Sequence, residues 1–458
     1  MSDEEKREKR YISITTGKLY PLLVKMAIPS MIGMIVSTVY SMTDTFWVGK
    51  LDDETYTASV GIVFAFVSVI QAIGFWFGYG SGNYISRMLG KKEIKEAERM
   101  AGCGVLIALI SGVGLLIAGL VFLKPLAVLL GGGSTEKLLA AVMGYLRITV
   151  CTIPFMLLSN VIYNQLRLAG SAANSMIGLL VGMAVNMILD PLFILKCGMG
   201  VEGAAYASLA GQISGLVILY RETTQHGNVR ISLKEAKPDG VHIKEILAGG
   251  APNFARQGLS SISSLIFNNV ASGFGVTAIA ALTIALRVAY MAYALVIGFG
   301  QGFQPVCALN YGAGNTGRIR KAFILTWLTV SSFLIISALV LYLNAGEFIG
   351  LFTQQPEVAQ LAVKMVRAQC LVLPFMGYYI LIGMLLQNIG RFGLATCVTT
   401  AENGTVFIPV LYICIRLMGE NALIWCKPVA SLIALILSLF IGTYAWKKYL
   451  NSSQEAQQ

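Results

Sequence analysis

Charged residues are scarce in this chain of 458 residues. Asp, Glu, Lys and Arg make up 12% of the sequence, whereas apolar residues make up 56%. A soluble domain carries about 25% charged residues. Apolar runs long enough to cross about 30 Å of hydrocarbon recur along nearly the whole chain. The composition therefore excludes an ordinary soluble fold and predicts a polytopic membrane protein.

The apolar runs also lack the short alternating pattern of a membrane β-barrel. Lipid offers no partner for open backbone groups, so a spanning segment must be a helix or part of a closed barrel. The sequence therefore predicts an all-α protein. We expect twelve transmembrane helices, at residues 22–49, 57–82, 97–122, 137–163, 168–195, 201–220, 243–270, 278–300, 320–344, 358–388, 392–416 and 421–446.

Histidine is nearly absent, and the cysteines show no C-x-x-C spacing. The two histidines, His226 and His242, fall in one loop with no H-E-x-x-H motif, and we expect both to be solvated. The eight cysteines are expected to act as small apolar side chains. This pattern favours neither an enzyme nor a cofactor-binding protein.

The formal net charge of +11 has a topological explanation. Lys and Arg concentrate in the N-terminal arm and in alternate loops, including the loop at residues 221–242. The positive-inside rule places such segments in the cytoplasm. We therefore predict a multi-pass protein of the plasma (inner) membrane with both termini cytoplasmic, and no nucleic-acid partner.

The two halves of the chain resemble each other at an offset of about 220 residues. "GYGSG" at 78–82 matches "GFGQG" at 298–302, and "PFM" recurs at 154–156 and 374–376. Because each half has an even number of predicted spans, the halves are parallel repeats. This predicts two pseudo-twofold-related six-helix lobes and favours a transporter. The predicted N-terminal lobe is 1–220, the cytoplasmic linker 221–242 and the C-terminal lobe 243–458.

An aspartate interrupts the first span, in "STVYSMTDTFWVGK" at residues 37–50. A charge deep in a span costs at least ~2.5 kcal/mol, so it normally faces water or a partner. Polar residues, Tyr40 among them, precede Asp44 at helical spacing. Pro29 removes a backbone hydrogen bond and permits a bend that could serve gating. We predict that Asp44 binds a coupling cation.

Partners for Asp44 are predicted at the same depth. "AVNMILDPLFI" places Asn186 and Asp190 on one helical face of span 5, and Ser208 lies at a matching level in span 6. Such oxygen ligands suit Na⁺, which would be held by Asp44, Asn186 and Asp190. Neighbouring carboxylates also favour proton binding. The coupling ion is therefore H⁺ or Na⁺, and the alternative reading is a structural polar cluster.

A second deep acid, Glu402, lies in span 11, where Arg256 of span 7 is expected to neutralise it. Aromatic and methionine side chains are suited to an adaptable cation pocket. The candidate substrate-cavity residues are Tyr40, Tyr163, Met183, Met187, Tyr290, Met291, Tyr293 and Glu402.

Several stretches resemble the multidrug and toxic compound extrusion (MATE) family: "VYSMTDTFWVG", "RLAGSA", "NMILDPLFI", "GVEGAAYASL" and "GFGQGFQPVCALNYGAG". The resemblance implies two six-helix lobes that form a V, open alternately to the two sides and couple cation entry to drug efflux. It is nearest to bacterial, DinF-like members with a first-lobe cation site. It assigns cation coupling to Asp44, Asn186, Asp190 and Ser208.

The chain also departs from the family. Some relatives use acids in spans 7 and 10, which this chain lacks, and the family often has an arginine near the position of Glu402. We predict an antiporter, functional as a monomer, that exports amphipathic, cationic small molecules across the lipid bilayer without a cofactor beyond H⁺ or Na⁺. The alternatives are a flippase for lipid-linked precursors, a membrane-embedded enzyme and an ion channel.

Overall fold

The computed structural model describes residues 2–51 and 53–451, without the side chains of residues 37–42, 44, 45 and 291. No β-strand occurs in these two ranges, which fold into helices joined by short turns and by one longer irregular segment at residues 224–239. The α-helices are α1 Asp3–Thr16, α2 Leu19–Gly49, α3 Glu54–Gly90, α4 Ile94–Val121, α5 Leu123–Leu129, α6 Glu136–Leu168, α7 Ala172–Pro191, α8 Gly200–Thr223, α9 Gly240–Ser272, α10 Val276–Gly312, α11 Thr316–Leu343, α12 Ala345–Gly350, α13 Pro356–Asn388, α14 Phe392–Thr400, α15 Phe407–Met418 and α16 Ala422–Ala445.

All twelve predicted spans fall on these helices. In the described part of the chain, 10 helical stretches are long and apolar enough to cross a membrane. Two features account for the difference. One stretch, Phe392–Asn451, contains the last two predicted spans, which the 3₁₀ turn Gly419–Asn421 separates. The other is α9, which is not among the ten because polar residues such as Asn253 and Arg256 interrupt its apolar run.

The chain forms two compact units. The first unit contains the chain up to Thr16 together with Ile32–Gly250, and the second contains Gly17–Met31 and the chain from Ala251 onward. The second unit therefore includes the beginning of α2, and the first includes the beginning of α9. The remainder of each helix belongs to the other unit, and we call α2 and α9 the exchanged helices. These boundaries differ from those of the predicted lobes, because the lobes follow chain order. The first turns of α2 and α9 instead belong to the unit whose helices they contact.

The beginning of α9 packs on α3 through backbone contact. Gly80 of α3 lies so close to α9 that a Cβ atom there would overlap the backbone of Ile246, and one at Gly250 would overlap the backbone of Trp76. The Trp76 indole N–H donates to the carbonyl of Leu247 at 2.7 Å. Small residues permit such approach between membrane helices. The contact holds the first turns of α9 in the first unit.

The beginning of α2 packs on α10 in the same way, within the second unit. A Cβ atom at Gly302 would lie 2.6 Å from Cα of Ala27, and one at Gly298 would lie 2.9 Å from Cγ of Met31. The Arg318 guanidinium also donates to the carbonyl of Gly17 at 2.6 Å. Each G-x-G-x-G stretch therefore helps to seat the first turns of a helix that passes between units, while Gly78 and Gly82 pack on α6 and Gly300 packs on α13.

Each exchanged helix contains a proline close to the point where it passes between units. Pro29 precedes the boundary in α2 by two residues, and Pro252 follows the boundary in α9 by two residues. A proline inside a helix removes one backbone hydrogen bond and weakens the helix there. Pro29 was expected from the sequence to allow bending. Pro252 matches it in the repeat and was missed.

The predicted linker belongs to the first unit, where α1 holds it. Arg10 donates to Oδ1 of Asn228 and to the carbonyl of His226, both at 2.8 Å. Arg7 donates to the carbonyl of Gly227 at 3.3 Å. These bonds satisfy carbonyl groups of the linker that no helix pairs, and they explain why residues 221–242 pack against the first unit.

The expectation of a solvated histidine is wrong for His242, which is only 2% exposed. Its Nδ1 lies 2.7 Å from Oδ1 of Asp239, and its Nε2 lies 3.0 Å from Oε1 of Glu96 on α4. Tyr84 of α3 donates to the same Glu96 oxygen at 3.0 Å. Asp239 also accepts the backbone N–H of His242 at 3.0 Å. The cluster ties the first turn of α9 to α3 and α4.

Substitution of Gly80 tests the helix contact. We expect Gly80→Ala to lower the melting temperature in detergent, because overpacking of a tight contact costs about 1–3 kcal/mol. Gly61→Ala is the matched control in the same helix, since a Cβ atom there meets nothing within 4 Å. Equal melting temperatures for the two variants would contradict the backbone contact.

Asp239 provides a pH-dependent test of the start of α9. The backbone N–H of His242, and then its side chain, hold the pKa of Asp239 at about 2, below the ordinary 3.8. A lowered pKa stabilises the fold above pH 3.8, and this contribution is lost as the pH falls towards about 2. Asp239→Asn should therefore melt below wild type at neutral pH, and the difference should shrink across that window. Glu235→Gln, in the exposed part of the linker, should show no such convergence.

Candidate functional site: a buried polar cluster in the first unit

The structure brings together the predicted polar residues of spans 5 and 6. Asn186 and Asp190 on α7 are 2% and 0% exposed. The Asn186 amide donates to Oδ1 of Asp190 at 3.4 Å and to Oγ of Ser208, on α8, at 3.2 Å. One amide thus links a buried carboxylate to a hydroxyl on the neighbouring helix.

Glycines place this cluster by letting α7 and α8 approach closely. A Cβ atom at Gly211 would lie 2.6 Å from the carbonyl oxygen of Gly182 and 3.0 Å from Cβ of Asn186. The helix then changes form, because Pro191 ends α7 and the π-helical turn Leu192–Lys196 follows. π-helical turns are frequent at functional sites. The cluster therefore lies beside an interruption in its own helix.

The cluster offers an acceptor that the described residues leave unused. Oδ1 of Asn186 is buried and has no hydrogen-bond partner among them. A buried carbonyl oxygen beside a carboxylate suits a cation or a proton donor. No group of three or more His, Cys, Asp and Glu side chains that could hold a metal ion occurs in the described ranges. A cation here would need the amide and hydroxyl oxygens as ligands.

Three of the predicted site residues lie outside the described side chains. Asp44 and Tyr40 belong to α2 and Met291 to α10, but only their helical backbone is described. The convergence of Asp44 with Asn186 and Asp190 therefore stays a prediction.

The other predicted cavity residues divide between the units. Tyr163 on α6 and Met183 and Met187 on α7 are half-buried in the first unit. In the second unit, Tyr290 of α10 is 58% exposed and lies 6.1 Å from the half-buried ring of Tyr293. The assignment of these residues to a common cavity stays a prediction.

Glu402 is buried in the second unit, on the π-helical turn Ala401–Thr405 that separates α14 from α15. Its Oε1 accepts a hydrogen bond from Ser431 of α16 at 3.1 Å. Arg256, the expected neutralising group, donates to the hydroxyl of Tyr293 at 2.9 Å, and Tyr293 lies near Glu402. The arginine therefore contacts a tyrosine near the acid, and its neutralisation of Glu402 stays a prediction.

Two residues of this second cluster were missed from the sequence. Tyr379 of α13 lies beside Glu402, and Ser431 donates to it. Each is a hydroxyl-bearing residue in a largely apolar helix, which was the available signal. Without the structure, nothing distinguished them from the many other hydroxyl groups in the spans.

Repeated helical halves, with a buried carboxylate in an interrupted helix, define the class of secondary transporters. The sequence profile of the MatE family matches the chain twice, at residues 29–192 and 252–413. The two matches cover well over half of the chain and correspond to its two halves. The chain therefore belongs to the MatE family, and it is a multi-pass membrane protein.

Curated relatives and solved structures agree with this assignment. The chain is 26% identical over 437 residues to the multidrug export protein MepA of Staphylococcus haemolyticus, covering 95% of this chain and 96% of the relative. It is 25% identical to MepA of Staphylococcus aureus MSSA476 over 92% and 93% of the two chains. A crystal structure of MATE in the bent conformation has the same fold, with a TM-score of 0.90 at 23% identity over 97% and 99% of the chains. An outward-facing multidrug resistance MATE transporter gives a TM-score of 0.86 at 24% identity over 94% and 97% of the chains.

Cation binding at the first-unit cluster predicts a change in stability. Added Na⁺, or a lower pH, should raise the melting temperature of wild type, because the bound cation neutralises buried negative charge. A ligand at 100 times its Kd stabilises by about 2.7 kcal/mol. Asp190→Asn should abolish the response to the effective ion, as measured by thermal unfolding in detergent.

Glu202→Gln is the control, since Glu202 is an exposed acid near the beginning of α8. This variant should respond to the cation as wild type does. A full response in Asp190→Asn would show that the cation acts elsewhere.

Proposed function

We propose that this protein exports amphipathic, cationic small molecules in exchange for H⁺ or Na⁺. The observation that carries the proposal is the buried polar cluster of Asn186, Asp190 and Ser208 in a chain of the MatE family. A carboxylate held away from lipid in this way is suited to binding and releasing a cation. The names of the MepA relatives support multidrug export.

In the proposed cycle, the cation binds to the first-unit cluster from outside and completes it together with Asp44. Its charge neutralises the buried carboxylates, and the hydrogen bonding of α2 changes near Pro29. Substrate then leaves, and return to the inward-facing state releases the cation and admits new substrate. One net charge that crosses 100 mV supplies about 2.3 kcal/mol, enough for roughly a fiftyfold substrate gradient, whereas a one-for-one exchange of monovalent cations is driven by the ion gradient alone.

The substrate role is assigned to the aromatic, methionine and acidic side chains predicted from the sequence. Phenol rings and thioethers bind cations without strict geometry, which suits substrates of different shapes. The residues proposed to line the substrate cavity are Tyr40, Tyr163, Met183, Met187, Tyr290, Met291, Tyr293 and the acid Glu402.

The finer assignments belong to the same proposal. The protein would act as a monomer in the plasma (inner) membrane, with both termini in the cytoplasm, and would carry no catalytic activity. Membership of the DinF-like group within the family stays a prediction. A lipid-linked precursor flippase is not favoured, because the relatives are named as multidrug export proteins.

Transport in proteoliposomes tests the proposal. Uptake of ethidium, a fluorescent lipophilic cation, is followed under an imposed pH gradient and, separately, under a Na⁺ gradient. We expect one of the gradients to drive uptake in wild type, and Asp44→Asn to reduce it to the level of empty liposomes.

Asp53→Asn is the matched control, because Asp53 caps α3 and pairs with Lys137 at 2.8 Å outside the predicted site. It should retain coupling at a small cost in stability. Wild-type transport that ignores both gradients would refute the antiport, and coupling retained in Asp44→Asn would refute the role of that residue.

A further inference from the structure

Glu402 is a buried acid that the first-unit cluster does not explain. It lies about 15 Å along the helix axis from the start of α14, as ten residues at 1.5 Å each. It is 5% exposed and belongs to a different compact unit from Asp190. A carboxylate at such depth is costly unless it has a partner or a function.

Two helices place hydroxyl groups beside this acid, and a third contributes a tyrosine that contacts Arg256. Ser431 of α16 donates to it at 3.1 Å. Tyr293 of α10 lies near it and accepts a hydrogen bond from Arg256 of α9 at 2.9 Å. The buried hydroxyl of Tyr379, from α13, lies beside it without ordinary hydrogen-bond geometry to any described residue. The Tyr379 donor is therefore available to the carboxylate.

The repeat relates the position of Glu402 to that of the first-unit cluster. The offset that aligns Pro191 with Pro409 also aligns Asn186 with Gly404, which is two residues from Glu402. In the two corresponding segments, a π-helical turn follows α7 and another separates α14 from α15, although the offset does not superpose the two turns. Interrupted helices in corresponding segments of two repeats indicate binding sites in transporters. Both units thus have a buried carboxylate near one interrupted helix.

We propose that Glu402 is a second exchange site, specific for a proton, in the second unit. The proposal rests on the exchange transport proposed above. The step is the loss and gain of one proton at the carboxyl group, with no other bond changed. Arg256 stays charged throughout, because a guanidinium does not release its proton in proteins.

The surroundings distinguish this site from the one in the first unit. The first-unit cluster has an unused amide oxygen that suits Na⁺ or H⁺ equally. Around Glu402, the observed neighbours are the hydroxyl groups of Ser431 and Tyr379, which can donate to the ionised carboxylate and accept from the protonated acid. A proton needs one oxygen only, whereas a hard cation needs several oxygen ligands.

Protonation would change the local net charge from about zero to positive. The ionised carboxylate offsets Arg256, so a cationic substrate meets no net repulsion. The neutral acid leaves the arginine charge uncompensated, which repels the substrate and promotes its release.

The test compares proton release with substrate movement. Ethidium and pH-sensitive dye signals are recorded together in proteoliposomes, and the number of protons exchanged per ethidium is determined. We expect Glu402→Gln to exchange one proton fewer per ethidium than wild type. Glu420→Gln removes an exposed acid of the same unit and should leave the ratio unchanged.

The outcomes separate this proposal from the transport function. An unchanged ratio in Glu402→Gln, or wild-type transport coupled to Na⁺ with no proton exchange, overturns the second site and leaves antiport in place. Ethidium movement without counterflow of any ion overturns the transport proposal itself.

A measurement on wild type covers the case in which Glu402→Gln does not fold. Dicyclohexylcarbodiimide adds to protonated buried carboxyl groups and forms a stable N-acylurea. Mapping by mass spectrometry should find label at Glu402 that increases as the pH falls and decreases with ethidium. Label at Asp190 but none at Glu402 in the same acidic sample would overturn the proposal.

Discussion

Close approach of helix backbones at glycine is the constraint on which the rest of this structure depends. Lipid tails are as apolar as leucine, so apolar side chains alone do not draw membrane helices together. Gly80 lets α9 begin its packing on α3, and Gly302 does the same for α2 on α10. Gly182 and Gly211 bring α7 against α8 and thereby set Asn186 beside Ser208. The same kind of contact therefore exchanges helix ends between units and builds the polar cluster.

Burial of charge sets the second constraint, and the two units meet it differently. In the first unit an amide links the Asp190 carboxylate to a hydroxyl, and its own oxygen is left for a further ligand. In the second unit, Glu402 accepts a hydrogen bond from the hydroxyl of Ser431, and Arg256 donates to the nearby Tyr293. An unused amide oxygen suits a cation that must be held by oxygens, whereas a hydroxyl can donate to an ionised carboxylate and accept from a protonated one.

The sequence predicted what depends on composition and periodicity. Apolar runs located the helices, and the four-residue spacing of Asn186 and Asp190 placed both on one face. The sequence did not predict on which unit the first turns of α2 and α9 pack. This packing depends on glycine contacts between residues far apart in the chain. The burial of His242 was also missed, since its partner Glu96 lies on another helix. Pairing across helices is a property of packing and has no local pattern.

The repeat explains why these features occur in related pairs. A proline stands in each exchanged helix close to the boundary between units, at Pro29 and Pro252. A π-helical turn follows α7, and another separates α14 from α15 in the corresponding segment. A proline and a π-helical turn thus occur in both halves, whereas the acids do not recur. Asp190 aligns with an apolar position of the other half, and Glu402 has no acidic counterpart. The two halves therefore share a helical framework, whereas the buried acids were placed separately in each.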